Sequence, residues 1–264
     1  MMNEYGVPEA RVLIGSIEVE AVESCVVTLD RAAPIVRAEI SLDRGQDAVE
    51  GLKEGDEVAL DLGYRGEALA PVLRGTVATI EPGRLVRFVV LDRMKTLAGT
   101  KILKAFRNVT AHEVMSWCLE HAGVDEYSLG AESTARRHHF IGRNEGLLDV
   151  ARRVRESWGL QWDLYCDAAG VVRFMPWSET AEALEEPVAD LVWGGNLLEL
   201  QPKSGNGATG VLETFLLPWV RQGHRVNVLD AELWGRDVVV RAERVTHRIE
   251  GGGRTEIEWT VLES

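Results

Sequence analysis

The stretch from Arg137 to Pro176 constrains the fold most, because it reads as strand, helix, strand, turn and strand. Apolar residues at steps of four, three and four predict one buried helical face, formed by Leu147, Ala151, Val154 and Trp158. Asn144 is predicted to cap the start of this helix, and Gly159 to end it in a left-handed conformation. The unit is too small to bury its own apolar face, so it must pack against other parts of the chain, with Trp158 buried against the strand that follows.

Strand signals without intervening helices occur on both sides of this unit. Three strands are expected in residues 12–42 and three more between residues 57 and 91, separated by a polar segment that forms a loop or a short helix. Five candidate strands follow Leu191, and Gly251–Gly253 are predicted to form the last hairpin turn. Antiparallel strands at this spacing indicate a small barrel or sandwich.

The two strand regions also resemble each other. In both, a glycine opens the segment, two valines lie nineteen residues apart, and a glycine turn and an arginine precede the last strand. The matching segments are Gly55–Leu91 and Gly223–Leu262, with Val58 and Val77 opposite Val226 and Val245. This repeat predicts a duplicated β domain with the α/β unit inserted between the copies.

We therefore predict a β-rich α+β protein with two similar small β-barrel domains and an α/β insert between them. The predicted domains are a first barrel at 1–100, the insert at 101–183 and a second barrel at 184–264. Within the insert, Thr110 and Glu113 form a capping-box pattern that opens a helix, which Gly123 stops. A helical turn is expected at Arg93–Ala98, and polar loops at 124–136 and, as linker or solvated helix, 178–190.

Composition limits the classes of function. The 264 residues carry a net charge of −13, which argues against a surface that binds nucleic acid. The longest apolar runs are too short for a transmembrane helix, and the first residues lack the features of a secretory signal. The cysteines are three in number and far apart, so we expect buried thiols in a protein made in a reducing cytoplasm: Cys25, Cys118 and Cys166.

The central stretch resembles the late-control D family of phage tail proteins, which are baseplate hubs related to the body of type VI secretion spike proteins. The resemblance lies in an aromatic strand, an Asn-Glu-x-Leu-Leu motif, a helix, Trp-Gly-Leu, a strand and a final Arg-Phe. The matching residues are Asn144, Glu145, Leu147, Leu148, Gly159, Leu160 and Phe174. None of them is a chemical reagent, so the resemblance implies a fold and an assembly role.

The function that the resemblance implies is that of a structural hub in a phage or phage-like contractile tail baseplate. Such a hub is a homotrimer whose two similar β domains per chain give a quasi-six-fold ring, and it joins the tail tube to the spike. The expected location is the virion tail after synthesis in the bacterial cytoplasm. The chain stops soon after the second predicted barrel, so neither membrane piercing nor cell-wall cleavage is expected of it. The alternatives are a tail-associated peptidoglycan hydrolase and a module that binds peptides or glycans.

No catalytic, cofactor-binding or metal-binding residue is predicted. The pairs His138 and His139, and His112 and His121, lack the spacing of metal ligands. The glycine-rich segment 204–210 lacks the Gly-Lys-Ser/Thr of a phosphate loop, so a flexible loop is expected.

Two groups of residues are candidates for contacts with other subunits. Basic side chains cluster within residues 136–143, which predicts either a solvated edge or a contact with an acidic patch on a neighbouring subunit. Of the eight tryptophans, three are expected in the core by their spacing (Trp117, Trp158 and Trp162), and three near strand ends are candidates for an interface (Trp193, Trp219 and Trp234).

Overall fold

The structure is a computed structural model that describes residues 6–19, 21–131, 133–176, 187–203, 208–229 and 236–262. The chain divides into two compact units. The β unit combines Met1–Asp92 with Glu182–Ser264, and the α/β unit is Arg93–Ala181. The domain boundaries expected from the sequence, 1–100, 101–183 and 184–264, remain a prediction.

The first part of the β unit is a run of strands with one helical turn. Its strands are β1 (Pro8–Ile14), β2 (Ile17–Glu18), β3 (Ser24–Asp30), β4 (Arg37–Asp43), β5 (Glu57–Tyr64), β6 (Ala70–Glu81) and β7 (Leu85–Asp92), and its helix is α1 (Asp47–Glu50). Alternate side chains are buried, as at Cys25, Val27 and Leu29 of β3, because successive strand residues face opposite sides. Three strands were predicted in residues 12–42, but four are present, because a turn at Gly15 separates β1 from β2. The three strands predicted between residues 57 and 91 are confirmed, and the segment predicted as a loop or a short helix contains α1.

The α/β unit contains the predicted helices and two strands that were not predicted, at Lys101–Val109 and Tyr127–Leu129. Its elements are α2 (Met94–Gly99), β8 (Lys101–Val109), α3 (Ala111–His121), β9 (Tyr127–Leu129), β10 (Arg137–Gly146), α4 (Leu147–Trp158), β11 (Trp162–Cys166) and β12 (Val172–Pro176). β8 pairs antiparallel with β10, and β9 pairs parallel with β12, which pairs with β11. The expected loop at 124–136 is therefore wrong at β9, since three residues are too few to show a periodicity.

Local signals at the helix ends are confirmed in three places. The Thr110 side chain accepts a hydrogen bond from the Glu113 backbone N–H at 3.2 Å, and the Glu113 carboxylate accepts one from the Thr110 N–H at 2.9 Å. Gly123 follows α3 with a φ of 73°, and Gly159 ends α4 with a φ of 67°. These are left-handed conformations, which cost least at glycine.

The predicted cap of α4 is wrong. Gly146, not Asn144, is the residue at the start of the helix, and no side chain caps it. Asn144 lies inside β10 with a φ of 62°, at an irregularity in the pairing with β8. The strand continues to Gly146, and the first helical N–H, that of Leu147, donates to the Thr100 carbonyl at 3.0 Å. The backbone therefore provides the hydrogen bond that a side-chain cap would have supplied.

The position of Trp158 also differs from the prediction. Its three companions on the helix face are buried, but Trp158 is only half-buried. Its ring packs 5.6 Å from the Phe140 ring on the preceding strand β10, not on the following strand, and its Nε1–H donates to the Ala135 carbonyl at 2.6 Å. At the last turn of the helix, the indole covers the end of the apolar face instead of entering it.

The second part of the β unit contains only strands. These are β13 (Asp190–Val192), β14 (Leu197–Pro202), β15 (Thr209–Phe215), β16 (Arg225–Leu229), β17 (Val238–Ile249) and β18 (Gly253–Val261). The expected strands after residue 191 and the glycine hairpin between the last two are confirmed, and Gly251 has a φ of 64°. The predicted linker at 178–190 lies mostly outside the described residues.

One sheet joins both parts of the β unit. Its order is β14-β15-β18-β17-β3-β4-β7-β6-β5-β1-β2, with β16 beside β17 and β13 beside β16. The β-rich α+β class is thus confirmed. Among the described strands, however, no ladder joins β1 to β3 in the first part or β13 to β14 in the second. Instead, β3 pairs with β17 of the other part, as at Cys25 and Ile249.

The internal repeat is present in the strand order. The series β3-β4-β7-β6-β5-β1 in the first part matches β14-β15-β18-β17-β16-β13 in the second, and each series has the same order along the chain. Neighbouring strands are antiparallel throughout, except that β13 is parallel to β16 where β1 is antiparallel to β5. The two regions therefore share the order of all six strands, and five of the six strands also run in the same direction, as the predicted repeat requires.

A shared hydrogen-bond pattern fixes the register of the repeat. The Gly55 N–H donates to the Val77 carbonyl at 2.8 Å, and the Gly223 N–H donates to the Ala242 carbonyl at 2.6 Å. Both glycines have a left-handed φ, of 92° and 87°, and a pairing irregularity directly follows Val77 and Ala242. Val77 thus corresponds to Ala242 and not to Val245, because Val77 follows Gly55 by 22 residues whereas Ala242 follows Gly223 by 19, a difference of three. The valine match made from the sequence is wrong by those three residues.

A cluster of buried polar groups lies in the second part of the β unit. His247 is fully buried, and its Nε2 lies 3.1 Å from the Val220 carbonyl, which can only accept, so Nε2 carries the proton. Its Nδ1 then accepts from the Thr255 hydroxyl at 3.0 Å, and that hydroxyl accepts from the Leu217 N–H at 2.8 Å. The neutral imidazole is therefore fully hydrogen-bonded.

His224 in the same cluster is also held neutral. Its Nδ1 accepts from the Arg221 N–H at 3.2 Å, and its Nε2 is buried without a hydrogen-bond partner among the described residues. Burial first, and the Arg221 charge second, lower the pKa of His224 to about 4 and that of His247 to about 3. Both histidines therefore resist protonation in the folded chain.

Candidate assembly surfaces

The pair of strands β8 and β10 forms a ribbon with one buried and one exposed side. The buried side chains are Ile102 and Phe106 on β8 and Phe140 on β10. Because side chains alternate along a strand, the residues between them point outward. We call this exposed set the ribbon face; its members are Lys101, Leu103, Ala105, Arg107, His139, Ile141 and Arg143.

The ribbon face combines apolar and basic groups. Leu103 is 75% exposed and Ile141 is 48% exposed, and they lie at diagonal positions, since Arg143 pairs with Leu103 and Ile141 with Ala105. The face carries three cations and no carboxylate. Lys101, Arg107 and Arg143 form no ion pair with any side chain in the part of the chain that the structure describes.

Charge is distributed unevenly between the two units. Residues 93–181 contain 12 Lys and Arg against 11 Asp and Glu, a net charge of +1. The remaining residues contain 17 against 31, a net charge of −14. The acidity of the chain therefore belongs entirely to the β unit, and the ribbon face lies on the unit without excess acid.

The β unit carries a groove of opposite character. It has a volume of about 620 Å³ and lies between the turn that joins β1 to β2 and the segment that follows α1. We call it the acidic groove; its apolar residues are Ile14, Ile17, Ala48 and Leu52, and its carboxylates are Glu54, Asp56 and Glu57. Ile17 is 50% exposed, and Lys53 is the one cation among the residues that line the groove.

The basic run at residues 136–143 is divided between two roles. Arg136 forms an ion pair with Glu113 of its own chain at 2.7 Å and also donates to the Asn108 carbonyl, so it stabilises the start of α3. The Arg137 guanidinium lies 5.6 Å from the Trp158 ring centre. Only Arg143 and His139 of this run belong to the ribbon face. The predicted contact of the run with an acidic patch remains a prediction.

The tryptophans follow their predicted sorting in part. Trp162 is fully buried and packs against Phe174, as expected of a core residue. Trp117 is half-buried, stacked on His121 with ring centres 4.7 Å apart. Trp193 and Trp219 are 56% and 46% exposed. Trp234 lies outside the described residues.

The remaining candidates are the histidine pairs, the cysteines and the glycine-rich segment. Among the described residues there is no group of three or more His, Cys, Asp or Glu side chains that could hold a metal ion. The three cysteines are buried thiols, as predicted, and burial raises the pKa of Cys25 and Cys118 to about 12. Most of the glycine-rich segment 204–210 is outside the described residues. In the described part of the chain, none of the helices has the length and apolar character needed to cross a membrane.

The fold defines a class of protein. No protein-family model and no curated protein matches the sequence. Solved structures of tail proteins, in contrast, match nearly the whole chain, so the chain has the fold of phage tail proteins and of proteins related to type VI secretion spikes. The resemblance found in the sequence is thereby confirmed at the level of the fold.

Three of these structures illustrate the likeness. A tail protein from Neisseria meningitidis MC58 is 14% identical, with a TM-score of 0.73 over 97% of both chains. The 43 kDa tail protein of prophage MuSo2 from Shewanella oneidensis is 14% identical, with a TM-score of 0.72 over 96% of this chain and 97% of the other. A type VI secretion component from E. coli, described as similar to tail proteins of bacteriophage T4, is 13% identical, with a TM-score of 0.66 over 96% and 77%.

Proposed function

We propose that this chain is a structural hub protein of a phage or phage-like contractile tail baseplate. Three copies would form a ring that joins the tail tube to the spike. The chain would be made in the bacterial cytoplasm and would reside in the virion tail. The fold shared with phage tail proteins along nearly the whole chain supports the general role.

The observation that carries the trimeric ring is the repeat inside the β unit. Six strands recur in the same order, and the same glycine hydrogen bond fixes the register in both copies. Two like surfaces per chain, repeated in three chains, present six like surfaces to a six-fold tube and remain compatible with a three-fold spike. A chain without an internal repeat would offer only three.

The charge of the β unit supports the same role. A ring built mainly from this unit would have a bore lined by a part of the chain that carries a net charge of −14. Such a surface repels DNA phosphates, so a genome that passes through would not be retained by lysines and arginines. Specific binding of nucleic acid is accordingly not part of the proposal.

Oligomeric state is the direct test. Light scattering should find a trimer, either with the protein alone or after addition of the spike protein, since a ring can dissociate by mass action at low concentration. A chain that stays monomeric in both conditions, at concentrations on the order of tens of micromolar, would contradict the hub. A trimer whose bore is lined by lysine and arginine would leave the hub standing and remove the charge argument.

We also propose that the chain is not an enzyme and holds no cofactor. Purified protein should contain no stoichiometric zinc by elemental analysis and should not reduce the turbidity of a cell-wall suspension. Stoichiometric zinc, or a fall in the turbidity of the suspension, in protein that still forms the trimer would favour the tail-associated hydrolase.

The exposed Trp193 and Trp219 favour a second candidate, a module that binds peptides or glycans. An exposed indole offers a flat apolar surface with one hydrogen-bond donor, which suits sugars as well as protein partners. Cosedimentation with purified peptidoglycan separates the candidates. Binding that is lost in Trp193→Ala, in a chain that is monomeric, would favour the module over the hub.

A further inference from the structure

We infer that the ribbon face of one protomer docks into the acidic groove of the next protomer around the ring. This inference rests on the proposed trimer and names its contact. Its two surfaces lie on different units of the chain, and neither has a partner within the residues described. A contact in which one surface meets a different surface on the next copy is heterologous, and it forms a closed ring when the rotation between copies closes.

The two surfaces match in apolar character. The ribbon face presents Leu103 and Ile141 at its middle, next to Ala105, so the centre of this outer side is apolar. The acidic groove presents Ile17 and Leu52. A ridge of two strands can insert such side chains into a groove, where removal of their surface from water favours association.

The two surfaces also match in charge. Lys101, Arg107 and Arg143 surround the apolar centre of the ribbon face, and the groove carries three carboxylates against one lysine. Opposite charges around an apolar centre set the register of a contact and exclude wrong partners. The charge pattern also decides against a symmetric contact of ribbon face with ribbon face, because that contact would place cations against cations.

Charge reversal tests the contact in the full chain, under whichever condition makes the wild type trimeric. The ribbon variant is Arg107→Glu with Arg143→Glu, and the groove variant is Glu54→Lys with Glu57→Lys. All four side chains are exposed, so the variants should unfold at the wild-type temperature. Each variant alone should raise the dissociation constant of the trimer by about 100-fold or more, since like charges then face each other.

The combined variant gives the decisive result. With all four changes in one chain, a negative ribbon face meets a positive groove again, and the trimer should return. A mixture of the two separate variants should not form trimers. In a mixture, a reversed ribbon face fits only the reversed groove, and an unchanged ribbon face fits only the unchanged groove. Each chain can therefore contact only chains of the other variant. The two variants would have to alternate around the ring, which is impossible with three chains.

Controls separate this contact from a general effect of charge. Lys95→Glu with Arg152→Glu makes the same change of net charge at exposed sites of the α/β unit away from the ribbon face, and it should leave the trimer intact. Leu103→Ser should weaken the trimer without changing the charge. A trimeric ribbon variant, or a combined variant that stays dissociated, would overturn the contact and leave the hub standing. A wild type that never forms a trimer would overturn both.

Discussion

Acid should destabilise the β unit well above the pH at which carboxylates titrate, because two buried histidines are held neutral. The ordinary pKa of histidine is 6.5, and the folded values are about 4 for His224 and about 3 for His247. Above pH 6.5 both histidines are neutral in the folded and in the unfolded chain, so their protonation does not lower the free energy of unfolding. Below pH 6.5 the two histidines are protonated in the unfolded chain but not in the folded chain. The free energy of unfolding therefore decreases as the pH falls toward the pKa values of the folded state.

The size of the effect follows from these values. Each histidine costs about 1.4 kcal/mol of unfolding free energy per pH unit below 6.5. At pH 5 the loss is therefore about 2 kcal/mol for each and ~4 kcal/mol for both. Urea denaturation followed by circular dichroism, repeated at half-unit steps from pH 7.5 to pH 5, measures this slope. The window ends at pH 5 so that ordinary carboxylates contribute little.

A matched pair of variants identifies the groups. His224→Gln should lower the overall stability. It should also reduce the slope of the unfolding free energy against pH, between pH 6.5 and pH 5, by about half, because only one histidine that is protonated solely in the unfolded chain remains. His139→Gln changes an exposed histidine and should leave the slope as it is. A wild-type unfolding free energy that is flat over this window, or a full slope in His224→Gln, would refute the reasoning.

Three further substitutions test the packing. Gly210→Ala should cost about 1–3 kcal/mol, because an added Cβ would overlap the Trp259 ring and the neighbouring strand, whereas Gly252→Ala in the open hairpin should be nearly neutral by the same denaturation. Thr110→Ala should cost about 1 kcal/mol by removal of the capping box, and Thr110→Ser should recover most of it. Trp158→Ala should cost about 2 kcal/mol, below the value for a core tryptophan, since the ring is half-buried; a loss above 4 kcal/mol would contradict that burial.

Features that depend on neighbours in the sequence could be predicted from it. The capping box at Thr110 and the end of α4 at Gly159 need only residues within one helical turn, and both are confirmed. The same holds for the buried side of β3 and for the glycine hairpin between β17 and β18. Likewise, the motif from Asn144 to Phe174 was sufficient to indicate the tail-protein fold. The cap at Asn144 failed because pairing with β8, a distant strand, extends β10 past it.

Features that depend on which strand meets which could not be predicted. Alternation gives each strand two faces, but it does not name the partner strand, so the sequence suggested two separate barrels and could not show that β3 pairs with β17 more than 200 residues later. The histidines singled out by spacing are not the perturbed pair; His224 and His247 are buried by elements that their local sequence does not specify. The ribbon face likewise depends on strand pairing and could not be predicted from the sequence. Leu103 and Ile141 form one apolar centre only because antiparallel pairing sets β8 beside β10, and tertiary structure alone decides which apolar residues remain exposed after the core is filled.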